Sequence, residues 1–395
     1  MKNIKDKLEK SIEDIMYYDQ SNAVESVVQT VFESILKHER DEFVSLQPEN
    51  KGNGYYTRLA KSVNQYFRLQ VPRDRLGLFK PVFLEAIKAQ DAQMQDMAFK
   101  LYVKGLTTQD ISEIFDEVYG KKLSPSSISS ITKDFEKSRD GWLQKPLQEH
   151  YYCLYIDALY IPIRRDYVSK EAFYIILGLN QDLKREVLGV FNIPSESASG
   201  WNDTFIDLKK RGLKQALLVI SDGLPGIKEV IHHHFPKAHV QQCLVHKIRD
   251  LLLHARSKDK SQISLDFKET FILENPTISF KDIDQKLADF LNKWASIYPS
   301  FRKKLLSQDI HYYTAYLNFP HSIHRMIYTT NWIERLNKSI KRTTKIRNAF
   351  PSPNSALTLI SAALMDIESS TYNFPVTAFL PAQPFFENLL AELIF

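Results

Sequence analysis

Three carboxylates stand where this sequence turns from apolar to polar. Asp157 closes the run Tyr151-Tyr152-Cys153-Leu154-Tyr155-Ile156, and Asp222 follows Leu217 to Ile220 and precedes Gly223-Leu224-Pro225-Gly226. Glu334 falls in Thr329-Thr330-Asn331-Trp332-Ile333-Glu334-Arg335-Leu336-Asn337. Phosphodiester cleavage at neutral pH needs an activated water or hydroxyl and a stabilised leaving oxygen, and two Mg²⁺ roughly 3.5–4 Å apart provide both. Mg²⁺ prefers carboxylates and waters. Two Asp on adjacent strands and a Glu on a neighbouring helix supply such a site. With 47 acids in the chain, three of them prove little alone. Asp157 could cap a strand end, Asp222 could serve a turn, and Asn331 to Glu334 resembles a capping box. Their placement favours a shared metal site, because each abuts a buried apolar element where a lone carboxylate is costly without a counter-ion.

The helix that Glu334 opens points the same way. Glu334, Lys338, Lys341 and Lys345 fall on one helical face, with Ile333, Leu336 and Ile340 on another. From Arg335 to Arg347 the basic residues Arg335, Lys338, Lys341, Arg342, Lys345 and Arg347 have no acid among them. A basic stripe running on from a metal-site acid would hold a phosphate backbone in register with the metals. The plainer reading is a solvated helix with a Glu334–Lys338 pair. Cys243 and His246 form a Cys-x-x-His pair, but no second pair at zinc-finger spacing follows, so both are assigned to active-site support or packing. His232 to His234 end a helix and read as a surface feature.

The elements that must position these residues follow from periodicity. Strands are expected at 151–158, 173–179 and 186–193, then a helix near 200–211 and a strand ending at Asp222. A helix over about 224–234, a short strand near 238–240 and a helix over about 243–254 come next. Three strands in series and then alternating helix and strand give an α/β mixed sheet of the ribonuclease H type, in which the first and fourth strands lie parallel and adjacent. Asp157 and Asp222 are then neighbours in space. Residues 258–318 read as helical, with the stripe Ile283, Leu287, Phe290, Leu291 and Trp294. A last helix over about 355–369 covers the sheet, and the tail after Pro375 reads as apolar but irregular.

Ahead of the sheet, residues 22–38 carry an amphipathic stripe of Val24, Val27, Val28, Val31, Phe32, Ile35 and Leu36, suited to packing on another domain or a second subunit. A turn at Gly52-Asn53-Gly54 leads to a small hairpin over 55–71, ending in Val71-Pro72-Arg73-Asp74-Arg75, where Arg73 and Arg75 could meet phosphate. Helices follow over 81–104, after Thr107 or Thr108, and from Ser124-Pro125, with proline at the first helical position. The last two read as a helix-turn-helix. Its second helix would offer Ser126, Ser127, Ser129 and Lys133 to DNA; the plainer reading is an ordinary three-helix packing unit.

At 395 residues the chain is expected to form two or three domains. Its 44% hydrophobic and 25% charged content is that of a globular protein. No apolar run reaches the roughly 18 residues of a membrane helix, and the N-terminus has no apolar core of a signal peptide. Two cysteines make no disulfide framework. A cytoplasmic protein with no membrane partner is expected. The net charge of +5 permits nucleic-acid binding without arguing for it.

Taken in order, several motifs resemble the Mutator-like transposases of bacterial insertion sequences, members of the DDE group. They are Asn53-Gly54-Tyr55-Tyr56, Val71 to Arg75, Ser124-Pro125-Ser126, Asp157-Ala158-Leu159-Tyr160, Arg185 to Gly189, Leu208 to Gly212, Asp222 to Gly226, Val240 to Arg249 and Tyr328 to Glu334. The resemblance implies a ribonuclease H-like core interrupted by an all-helical insertion, with Asp157, Asp222 and Glu334 as both catalytic and metal-binding triad. It implies cutting at terminal inverted repeats of double-stranded DNA and joining of the freed 3′-hydroxyls to target DNA. It also implies two Mg²⁺, with Mn²⁺ able to substitute, and a homodimer or larger assembly on paired ends. Asp182-Leu183 departs from the Asp-Gly usual at that place, and Trp332 replaces a smaller residue; it could stack on a base or pack against the insertion. Expected segments are 1–50 (dimerisation or packing), 51–77 (hairpin), 78–145 (helix-turn-helix), 146–257 and 329–372 (catalytic core), 258–328 (insertion) and 373–395 (tail). A DNA-binding regulator that no longer cuts would usually have lost an acid. A ribonuclease H-like nuclease without strand transfer would have little need of the N-terminal helices or the insertion.

Overall fold

Tyr151 to Ile156 is apolar at every position, which suits a strand covered on both faces. In the computed structural model of the chain it lies in the middle strand of a five-stranded sheet. The structure describes residues 9, 13, 20–62, 65–119, 125–193, 198–224, 226–271, 279–306, 310–345 and 347–394. The chain forms two compact units, one of residues 1–102 and 106–132, the other of 103–105 and 133–395.

In the first unit a helix, Gln20–Ser45, packs on an antiparallel pair, β1 (Gly52–Ser62) and β2 (Gln65–Asp74). Leu36 of the helix joins Ala60, Leu69, Val71 and Leu84 in a small core, with Val28, Phe32 and Phe83 against it. Part of the amphipathic stripe is therefore spent inside this unit, while Val31 and Ile35 stay exposed. Gly52 to Gly54 begin β1 instead of forming a separate turn. The register shifts between Gly52 and Tyr55, and Gly54 takes a φ of 68°, a left-handed conformation that glycine adopts without steric penalty and that β-bulges use. The acid of the Arg73-Asp74-Arg75 motif is buried. Asp74 accepts hydrogen bonds from Asn50 Nδ2 at 2.8 Å and from the backbone N–H groups of Leu78 and Phe79 at 3.0 and 3.1 Å. Helices Val82–Val103, Thr108–Tyr119 and Pro125–Leu143 follow. Thr107 caps the second of them: its Oγ1 accepts from Asp110 N while Asp110 Oδ2 accepts from Thr107 N.

The sheet of the second unit runs β5-β4-β3-β6-β7. Its strands are β3 (His150–Arg164), β4 (Val168–Asn180), β5 (Arg185–Asn192), β6 (Gln215–Ser221) and β7 (His239–Gln242). β3, β4 and β5 are antiparallel, and β6 lies parallel between β3 and β7. Alternate residues of a strand face opposite ways. Leu154, Ile156 and Ala158 join a core with Trp201, Phe205 and Leu208 of the Ala198–Lys210 helix and Ile227 and Ile231 of the Ile227–His234 helix. Tyr155 and Asp157 face the other side, where Trp332 and Asn337 of the Asn331–Thr344 helix meet them. Between β7 and that helix the described chain is helical: Leu244–Leu253, Lys260–Phe271, Phe280–Trp294, Pro299–Leu306 and shorter turns.

The expected irregular tail is instead a 3-10 turn, Thr377–Ala382, and a helix, Gln383–Ile394. Pro381 and Pro384 suggest irregular backbone in the sequence, but Pro384 falls in the first helical turn, where a missing N–H is harmless. Phe386 stacks on Tyr152 with ring centroids 4.8 Å apart. Phe379 lies 5.5 Å from Trp332. The departure at Leu183 also has a structural side. Its φ is 57°, and no other non-glycine among the described residues has a positive φ. Burial of its side chain to 2% exposure offsets that strain.

Glu368, on the Pro353–Thr371 helix, ties three elements together. It accepts from Trp142 Nε1 at 2.6 Å, from Lys145 Nζ at 2.9 Å and from Val187 N of β5 at 2.8 Å. Glu368→Ala strands Trp142 Nε1 and Val187 N and leaves Lys145 only Glu186, 3.2 Å away, and is expected to destabilise this unit by about 3 kcal/mol. A lowered midpoint in thermal unfolding checks this, and an unchanged midpoint would remove Glu368 from the account of stability.

Candidate metal centre

Parallel pairing of β3 and β6 ends at Ile156 and Ser221. The next residue after each is an acid, Asp157 within β3 and Asp222 just past the end of β6. A one-residue slip of β3 would turn Asp157 to the other face of the sheet, among Leu154, Ile156 and Trp201, where a carboxylate is costly. His246, on the Leu244–Leu253 helix, completes the group: ligand atoms of Asp157, Asp222 and His246 lie within 4.8 Å of one another. Asp157 is 5% exposed. Burial pushes its carboxyl up to about 6, and the nearby charge of Glu334 adds to this; hydrogen bonds from the Ala158 backbone and Asn337, with the charge of Lys341, oppose it. Asn337 Nδ2 donates to Asp157 Oδ2 at 2.7 Å.

Glu334 stands outside that set. The capping box that Asn331 and Glu334 suggest does not form: Thr330 is the N-cap, with no side-chain cap hydrogen bond. The Glu334 carboxylate instead receives Arg249 Nη1 at 2.7 Å and Nη2 at 3.2 Å, and lies 3.6 Å from His246 Nε2. Cys243 is buried and lies at the N-cap of the His246 helix. Its Sγ accepts from Thr330 N and Oγ1, both at 3.4 Å, and burial pushes the thiol pKa up. Leu244 N donates to Tyr328 O at 3.0 Å, and His246 Nδ1 is 3.4 Å from Thr330 Oγ1. The Cys-x-x-His pair thus fastens one helix to the residue that starts the Glu334 helix. Burial also lowers the His246 pKa, against the pull of Glu334, so the imidazole is neutral and able to donate a lone pair at neutral pH.

Along the Asn331–Thr344 helix, Ile333, Leu336, Asn337, Ile340 and Thr344 are buried, while Arg335, Lys338, Lys341 and Arg342 are exposed, as is Lys345 just beyond. Arg347 is half-buried, its guanidinium 5.4 Å from the Phe350 ring. Trp332 packs between Tyr155 and Phe379, with Arg185 over its ring. Among the described residues its ring contacts are thus with the sheet and the C-terminal turn. A cleft of about 340 Å³ opens beside Asp222, with Tyr160, Gln242, His246 and Lys247 in its wall. Arg73, Arg75 and Lys133 are exposed. The side chains of Ser126, Ser127 and Ser129 lie outside the described residues.

Two residues of the site escape a reading of the sequence. Asn337 is a polar residue in the buried stripe of its helix, one turn after Glu334. Arg249 is one turn after His246, on the same helical face. An ion fits the donor set of this centre: two carboxylates suit Mg²⁺, and an added imidazole suits Mn²⁺ as well.

Over residues 1–373 the chain matches the family described as "Transposase, Mutator family". It is 33% identical over 331 residues to the transposase for insertion sequence element IS905 of Lactococcus lactis, covering 84% of this chain and 83% of that one. To the transposase for insertion sequence element IS1201 of Lactobacillus helveticus it is 31% identical over 359 residues, covering 90% and 95%. To the transposase for IS256 in transposon Tn4001 of Staphylococcus aureus it is 29% identical over 363 residues, covering 89% and 92%.

Proposed function

Because the chain belongs to the Mutator family of transposases, we propose that it cuts DNA at the terminal inverted repeats of an insertion sequence and joins the freed 3′-hydroxyl ends to target DNA. The observation that carries this reading is the meeting of Asp157 and Asp222 where the parallel pairing of β3 and β6 ends, with His246 within 4.8 Å and Glu334 3.6 Å from His246. Asp157, Asp222 and Glu334 would hold two Mg²⁺, or Mn²⁺ in their place. Divalent cations in such a site polarise the scissile phosphate and activate the attacking oxygen. Asp157 is held by Asn337 in one orientation. Cys243 and His246 fix the approach of the Glu334 helix. Arg335, Lys338, Lys341, Arg342, Lys345 and Arg347 grip the phosphate backbone, which sets the strand in register without reading its sequence.

On the same premise, the mixed sheet is a ribonuclease H-like core, carried by 146–257 and 329–372, and 258–328 is its helical insertion. Segments 51–77 and 78–145 bind DNA, the first through Arg73 and Arg75, the second as a helix-turn-helix with Ser126, Ser127, Ser129 and Lys133. Segment 1–50 serves dimerisation or packing, and the enzyme acts on paired ends as a dimer or larger assembly in the cytoplasm. No helix among the described residues is long and apolar enough to cross a membrane.

The test is strand cleavage and joining on DNA carrying the element's own ends, with Mg²⁺, comparing wild type with Asp222→Asn. Both products are expected from wild type and neither from the variant. Binding without cleavage by wild type, with Mn²⁺ and paired ends also tried, would favour a DNA-binding regulator. Asn337→Ala removes the hydrogen bond that orients Asp157 and is expected to weaken Mn²⁺ binding about tenfold, as loss of an outer partner of a metal ligand generally does. Calorimetric titration reads this, and an unchanged affinity would deny Asn337 that role.

A further inference from the structure

His246 and Arg249 are one turn apart on the Leu244–Leu253 helix and share a face. The Arg249 guanidinium engages both oxygens of Glu334, at 2.7 and 3.2 Å. The two partners differ in exposure: the Glu334 side chain is 12% exposed, that of Arg249 55%. A nearly enclosed carboxylate is thus held by a cation that is itself half in solvent. Without that cation, no other permanent positive charge among the described residues is bonded to Glu334.

We propose that Arg249 is a hand-over residue: it holds Glu334 by both oxygens until a divalent cation takes the carboxylate, and the released guanidinium then binds a phosphate of the DNA strand entering the site. This rests on the metal-dependent reading above. The paired fork of Arg249 occupies both oxygens that a metal would need. A doubly charged ion at Glu334 repels the guanidinium at close range. Arg249 can leave readily, because half of its side chain is already in water. A freed guanidinium matches phosphate oxygens as well as it matches a carboxylate, through two parallel N–H donors. The basic residues of the Asn331–Thr344 helix begin next to Glu334, so the phosphate backbone they attract passes within reach of the same place. One residue thereby couples metal loading to DNA capture, and each favours the other.

The experiment uses the full chain and four proteins: wild type, Arg249→Gln, Arg249→Lys and Asp222→Asn. Mn²⁺ alone is titrated by calorimetry. Arg249→Gln is expected to bind Mn²⁺ about fivefold more tightly than wild type, since the competitor for Glu334 is gone and an ion pair with one partner half in solvent is weak. Arg249→Lys, charged but without the fork, is expected to fall between. DNA binding is then measured in Ca²⁺ over a range of salt. Arg249→Gln is expected to lower the slope of log affinity against log salt by about one, the signature of one lost phosphate contact. Equal or weaker Mn²⁺ binding by Arg249→Gln would overturn the proposal, because Arg249 would then be neutral to the metal or a fixed support for Glu334. An unchanged salt slope would overturn its DNA half. If wild type binds Mn²⁺ no better than Asp222→Asn, the metal reading itself falls and takes the hand-over with it. That outcome is distinct from a wild type that binds while Arg249→Gln shows no gain.

Discussion

Glu334→Gln is expected to bind end DNA about as well as wild type and to cleave it about a thousandfold more slowly or worse. The substitution keeps the shape of the side chain and one of its oxygens, so the Asn331–Thr344 helix and its basic residues stay in place. What goes is a negative ligand. Metal assistance in phosphoryl transfer contributes several kcal/mol to the transition state, and each loss of about 1.4 kcal/mol is tenfold in rate. Electrophoretic binding and strand-cleavage assays on the same DNA separate the two effects. A Glu334→Gln protein that cuts like wild type would remove Glu334 from the triad and leave Asp157, Asp222 and His246 as the ligand set.

Asp157→Asn is expected to stabilise the metal-free protein while abolishing cleavage. Burial, with the charge of Glu334, raises the Asp157 pKa from 3.8 to about 6. Between about pH 4 and pH 6 the folded chain therefore keeps a proton that the unfolded chain has released, so this group's contribution to stability declines as pH rises through that window. By pH 7.5 the penalty is about 3 kcal/mol, at about 1.36 kcal/mol per pH unit between the two pKa values. Asparagine carries no charge, and its amide can turn to present oxygen to Asn337 Nδ2. Asp74 and Asp266 act in the opposite sense: burial pushes both up, and their hydrogen bonds outweigh it and hold both low. The useful readout is therefore the difference between variant and wild type in thermal unfolding from pH 4 to 8 in chelator. That difference should open as pH rises, and Mg²⁺ at pH 7.5 should close it by stabilising the wild type alone. A difference that stays flat with pH would mean that Asp157 bears no such penalty.

The sequence is most readable where burial is complete. Tyr151 to Ile156 and Leu217 to Ile220 are apolar without a break, so their strands, their pairing and the meeting of Asp157 with Asp222 follow from few assumptions. The helices near 200–211, 283–294 and 355–369 are legible for another reason: their apolar residues recur at helical spacing, as Ile283, Leu287, Phe290, Leu291 and Trp294 do. Reading fails where a polar residue sits among apolar ones and its partner is distant in sequence. Asn337 looks like a surface residue until β3 is laid against its helix. Arg249 looks like one more basic residue until Glu334 comes to it from another element. Glu334 itself invites a local explanation, the capping box with Asn331, and the distant partner wins. The tail misleads because its prolines mask the spacing of Phe386 and Leu390, which are both buried.

The stacking of Phe386 on Tyr152, and the packing of Phe379 on Trp332, have a consequence for the order of events during synthesis. Tyr152 leaves the ribosome well before Phe386, its stacking partner, has been made. Contacts between segments so far apart form slowly, and until they form the sheet face that carries Asp157 lies partly bare. A chain still being translated can fold its first unit and much of its sheet, yet cannot seal the wall behind the Glu334 helix. Polypeptides released early leave Tyr152 and Trp332 uncovered, as sticky and transient species. The face behind Asp157 is thus closed only once Phe379 and Phe386 have been made.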